Sequence, residues 1–135
     1  MAEQLKRNQG LGRILVMVYA VFALSAFARS LFQILTDFST APLAYLLSAF
    51  AAAVYIVATF SLARSGRTAW HVSLVAVLIE LVGVVGIGLW TVLDPQLFPE
   101  ETVWGHFGAD YGYVPLVLPV VGLAWLLAHR PDRTA

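Results

Sequence analysis

The chain contains no cysteine, and that absence removes disulfides, thiol catalysis, iron–sulfur ligation and cysteine-based zinc sites together. Charge is scarce as well: Asp, Glu, Lys and Arg make up 12% of the 135 residues, against 60% hydrophobic. With a mean hydropathy of +0.81, the composition lies far outside the soluble globular range. There is no basic stripe of the kind that grips nucleic acid. His71, His106 and His129 fall on separate segments, with no pair at helical ligand spacing, so no metal site is expected. A P-loop, a Gly-x-Gly-x-x-Gly turn, a nucleophile elbow and a His-Glu-x-x-His pair are all missing. Gly86-Ile87-Gly88 falls inside an apolar run and reads as helix packing. The expectation is a non-enzymatic protein without cofactor or metal.

What is present is grease in long runs. A hydrocarbon core of about 30 Å needs about 20 apolar residues of helix. Four segments supply them, near residues 14–36, 42–62, 69–93 and 112–128. Asp37-Phe38-Ser39-Thr40 is polar enough to turn the chain, and Pro42 can open a helix where its missing N–H is harmless. Ser65-Gly66 and Asp94-Pro95 close the second and third segments. The fold class is therefore all-α: one polytopic four-helix bundle, with the lipid bilayer as its first partner.

The charges sort by connection. Lys6, Arg7, Arg13, Arg64, Arg67, Arg130 and Arg133, seven of the eight bases, flank the N-terminus, second connection and C-terminus. Asp37, Asp94, Glu100, Glu101 and Asp110 occupy the first and third connections. Seven bases against Glu3 and Asp132 leave about +5 on one side, facing about −5 on the other. The positive-inside rule then places both termini in the cytoplasm. Trp70 at the inner edge, and Trp90, Tyr111 and Tyr113 near the outer edge, fit aromatic belts. Lys6, Arg7 and Arg13, the run behind them and Ala26-Phe27-Ala28 also resemble a cleavable signal peptide. The apolar pattern continues through Leu31, Phe32, Ile34 and Leu35, as an uncleaved span would.

Two charges sit inside the spans. Arg29 lies about 10 Å below the outer end of the first, and Glu80 about 20 Å below that of the third. Intramembrane charges are expensive and usually face the bundle interior or water. Ser25, Arg29 and Gln33 recur every four residues; Tyr45, Ser48, Ala52, Tyr55 and Thr59 form a stripe on the second helix. On the third, Ser73, Glu80, Ile87 and Thr91 share a face with Gly83 beside Glu80. The three stripes are expected to converge. They can do so structurally, through interhelical hydrogen bonds with Arg29 snorkelling outward and Glu80 bonded to a hydroxyl such as Tyr55. They can also do so functionally, with Glu80 as a proton or cation site and Arg29 as its gate. No second carboxylate lies at the depth of Glu80, so paired acid–base catalysis has no candidate.

The third connection is long. Pro99 followed by Glu100 and Glu101 suggests a short interfacial helix ending at Gly105 or Gly108. It would turn Leu97, Phe98, Val103, Trp104 and Phe107 toward lipid or the bundle mouth, leaving Glu101 and His106 for ligand contact. Pro115 and Pro119 are expected to bend the outer half of the fourth helix.

The segments Pro42-Leu43-Ala44-Tyr45-Leu46-Leu47-Ser48-Ala49 and Val54-Tyr55-Ile56-Val57-Ala58-Thr59, with the block Asp94 to Gly122, carry a resemblance. The chain is similar to an uncharacterised family of small four-span actinobacterial integral membrane proteins. The resemblance implies a bacterial inner (plasma) membrane and transfers no catalytic residue. Small multidrug-resistance proteins carry their carboxylate in the first span, and the Gly-rich and Asn motifs of fluoride channels are missing here. The leading expectation is a protein acting by association, as a homo-oligomer or accessory subunit of a membrane complex. The alternative is a small-solute or proton-linked transporter using Glu80 and Arg29. A dry centre favours the first, and a water-sized cavity reaching Glu80 the second.

Overall fold

The computed structural model describes residues 2–97 and 104–130. Among them every regular element is helical. Helix α1 runs Ala2–Asp37, α2 Pro42–Leu62, α3 Arg67–Leu93 and α4 Val114–Ala128. Three of these are long and apolar enough to cross a membrane, while α4, at 15 residues, is shorter. The end holding Arg64, Arg67, the start of α1 and the close of α4 is called the basic end below, and the opposite one the acidic end.

The helix boundaries follow local chemistry. Pro42 occupies the first turn of α2, and a 3-10 turn over Phe38–Thr40 links it to α1. Thr40 tightens that turn by donating its hydroxyl to Asp37 Oδ1. Gly66 stands before α3 at φ 108°, a conformation that side chains resist. Pro115 lies in the first turn of α4 and bends nothing, contrary to expectation; only Pro119 sits inside the helix.

Consecutive helices pack side by side, α1 most extensively on α2. Their buried faces are rich in small residues, Ala23 and Ala26 on α1 and Ala51, Ala52 and Ala58 on α2, which lets backbones approach closely. The chain closes through Trp125 of α4, which would meet a Cβ at Gly12 of α1 at 3.0 Å. Outside, the surface is apolar all round: Leu24, Leu35 and Val82 are each more than 70% exposed. In water that would be a large aggregation liability. Against lipid tails it is the ordinary state of a span.

The third connection differs from expectation. Most of the predicted helix from Pro99, with Glu101, lies outside the described residues. The part from Trp104 onward is not a regular helix, because His106, Phe107 and Gly108 take φ of 51°, 61° and 82°. The backbone thus turns left-handed there. That turn drives Trp104 and Phe107 inward onto α3 rather than along an interface. Trp104 is 2% exposed. Burying an indole among helices outweighs the local cost of left-handed backbone, roughly 1–3 kcal/mol per strained residue.

Candidate functional site

Glu80 stands at the middle of α3 with no exposed surface. Its partner is Tyr19 of α1, whose hydroxyl donates to Glu80 Oε1 at 2.6 Å. Glu80 Oε2 meets no hydrogen-bonding group among the described residues. Tyr19 reaches this position because Gly122 on α4 has no side chain: a Cβ there would lie 3.2 Å from the tyrosine hydroxyl. The Tyr55 ring packs beside Tyr19, centroids 6.1 Å apart and tilted by 57°. Above it, the Trp104 indole donates to the Tyr55 hydroxyl at 3.0 Å. Glu80 is thus enclosed by one residue from each helix and capped by the loop.

The loop has a prepared seat. A Cβ on Gly83 would come within 2.4 Å of the Trp104 ring, and one on Gly88 within 2.4 Å of the Phe107 ring and 2.7 Å of its backbone N. One turn further, Thr91 Oγ1 accepts the backbone N–H of His106 at 2.8 Å. Gly83, Gly88 and Thr91 therefore form a shallow track for the loop. Gly88 serves loop packing rather than the helix packing expected of Gly86-Ile87-Gly88, and Gly86 faces open space. The His106 side chain is exposed.

Convergence of the three stripes holds for two. Tyr45, Ser48 and Tyr55 of α2 are buried, as are Ser73, Glu80 and Thr91 of α3. Thr59 is half-buried and bonds back to Tyr55 O. Tyr45 points to the acidic end, where its hydroxyl donates to Asp37 Oδ2 at 3.3 Å. On α1 the expectation fails. Ser25 and Arg29 are exposed and Gln33 is only half-buried. The buried face is instead Leu15, Tyr19, Ala23, Ala26 and Ser30, at spacings of four and three. Arg29 donates to the Tyr111 hydroxyl at 2.8 Å. It flanks a groove of about 330 Å³ beside Ser25 and Phe22, so its bond runs to the third connection and not to Glu80. We expect Arg29→Gln to lower stability by less than about 1 kcal/mol in chemical denaturation, because the contact is exposed.

A second arrangement, at the basic end, escaped the sequence reading. Ser73 Oγ donates to Ser61 Oγ at 2.8 Å, joining α3 to α2. Trp70 Nε1 donates to Leu126 O at 2.8 Å, joining α3 to α4. Trp125 stacks on His129 with centroids 4.4 Å apart. Together with Arg64 and Arg67 these residues line a cavity of about 410 Å³. The clue was available, since Trp125 and His129 are one helical turn apart beside the arginine-bearing connection.

Chemically, the centre offers one carboxyl, two phenols and an indole, sealed from water. No group of three His, Asp or Glu that could hold a metal ion occurs among the described residues. No family model, curated protein or solved structure matches this chain, so its geometry is the whole basis for reading the site.

Proposed function

We propose that this is a multi-pass protein of a bacterial plasma membrane that acts by association, as a homo-oligomer or as an accessory subunit of a larger complex. Four spans and cytoplasmic termini follow from the sorted charges and the apolar exterior. The observation that carries the reading is the filled centre. No water-sized sphere touches Glu80, Tyr19, Tyr55, Val77 or Val84, all 0% exposed. A transporter must admit solute and water to its coupling residue, and a carboxyl closed in by Tyr19, Gly122 and the Trp104 loop has no such route. The same polar contacts suit a rigid bundle presenting its outer faces to partners.

The mass of the complex extracted from native membranes in mild detergent tests this. The expected result is a multiple of 14.7 kDa or a larger assembly. A lone monomer would remove the association reading. Reconstituted vesicles should show no proton or solute flux above protein-free controls, and flux abolished by Glu80→Gln would instead establish transport. Sidedness has its own test, made simple by the lack of native thiols. In intact cells a membrane-impermeant maleimide should label Ser39→Cys and spare Ser65→Cys. The reverse pattern would invert the topology.

A further inference from the structure

The basic-end cavity is one part of a longer feature. Among the described residues its wall includes Arg64, Arg67, Ser65 and His129, and no acidic one. Around the corner of α2, a second cavity of about 500 Å³ shares Ser61, Arg64 and Ser65 with the first and adds Thr68. Past this polar mouth it becomes apolar at Ile56, Val57, Phe60 and Val72. A third, of about 480 Å³, shares Val57 and Val72 and continues to Phe50 and Ile79. Through these shared wall residues the three spaces adjoin as a furrow along α2 and α3, polar and cationic at one end and, His71 apart, apolar along the rest. From Ser61 to Phe50 it runs about 16 Å along the helix. That is about half of a hydrocarbon core, the depth of one leaflet.

The mouth is suited to an anion in a second way. Gly66 supplies no side-chain cap to α3. The first-turn amides, ahead of the Trp70 N–H to Gly66 O bond at 3.0 Å, therefore point outward at the positive end of the helix dipole.

We propose that this furrow binds an anionic phospholipid, its phosphate held at Arg64, Arg67 and Ser65 and one acyl chain laid between α2 and α3. Cationic pockets between spans on the cytoplasmic side are where acidic headgroups are recognised. A free phosphate would use the mouth alone and leave the furrow without a role. A second copy of the chain would bring its own Arg64 and Arg67 toward this pair, which like-charge repulsion opposes. The proposal rests on the membrane reading but not on association.

The test is native mass spectrometry of the delipidated chain in mild detergent, titrated with phosphatidylglycerol, phosphatidylcholine or inorganic phosphate. Phosphatidylglycerol is expected to bind about 30-fold more tightly than phosphatidylcholine at low salt, the effect of two arginines at an acidic headgroup. Arg64→Gln with Arg67→Gln should reduce that preference to within about twofold, and the paired lysine variant should keep most of it. Val57→Phe with Val72→Phe, which fills the furrow, should weaken both lipids and leave their ratio unchanged. Equal binding of the two lipids, or a preference surviving in the glutamine pair, overturns the proposal. So does a furrow-filled variant that binds as before, or inorganic phosphate binding that is lost in the glutamine pair while lipid binding is not. A dimer that persists without lipid and is broken by the furrow-filling pair would give the furrow to a second copy. Because bound lipid is counted on each mass peak, a monomeric result for the assembly leaves this measurement intact.

Discussion

Trp104→Ala is expected to produce the largest loss of stability of any single substitution outside the helices. The indole is buried between α2 and α3, donates to Tyr55, and packs edge-on against Phe50 with centroids 6.0 Å apart. Truncating a buried aromatic to alanine removes about 3–5 kcal/mol. The lower part of that range applies here, because a loop can partly collapse into the space. The same seat can be attacked from the other side. Gly83→Leu puts a side chain where the Trp104 ring lies, and Gly88→Ala meets the Phe107 backbone, which cannot swing away as a side chain end can. Both should release the loop and cost about 1–3 kcal/mol. Gly86→Ala is the control. Nothing lies within 4 Å of it, so removing a helical glycine should be neutral or stabilising by up to about 1 kcal/mol. Thermal unfolding in detergent, read by tryptophan emission, distinguishes these outcomes. Equal behaviour of Gly83→Leu and Gly86→Ala would mean that the loop is not docked.

The second large effect belongs to Tyr19→Phe. The change deletes one oxygen but leaves Glu80 without any hydrogen-bond partner among the described residues. Interhelical hydrogen bonds in membranes average only about 0.6 kcal/mol. An abandoned buried acceptor costs about 1–3 kcal/mol, however, so orphaning sets the size of the effect. We expect a loss of about 1–2 kcal/mol in denaturant titration. Glu80→Gln keeps a carbonyl for the tyrosine hydroxyl and should lose less than about 1 kcal/mol. Tyr19→Phe combined with Glu80→Leu removes both halves of the bond, and should be more stable than Tyr19→Phe alone. If the double variant is the least stable of the three, the hydroxyl and carboxyl are not energetically coupled.

These residues also show what can be read from a chain like this. The bounds of α2 were legible because Pro42 and a 21-residue apolar run coincide at its ends. The other helix ends came within a few residues wherever polar or glycine punctuation was present, except that α1 continues well ahead of residue 14. The buried face of α1 was not legible. Lipid is as apolar as a protein interior, so hydrophobic periodicity does not tell the inside of a span from the outside. Polarity was the remaining guide, and it misled: Ser25 and Arg29 are polar but exposed, whereas Tyr19 passes for an ordinary aromatic until Gly122 and Glu80 are seen beside it. The loop was misjudged for a related reason. Tryptophan belongs by habit at the interface, and nothing local announces that Gly83 and Gly88, some twenty residues earlier, leave room for Trp104 and Phe107.

That separation along the chain has a consequence for biogenesis. In chain order α1, α2 and α3 all precede Trp104, so the carboxyl in the third helix is synthesised before its cover. Until both the Trp104 segment and α4 have followed, Tyr55 lacks its indole cap and Tyr19 lacks Gly122 beside it, so the enclosure closes only with the end of the chain's synthesis. A chain ending at Leu93 would therefore keep Tyr19 on Glu80 but lack the indole that closes over Tyr55.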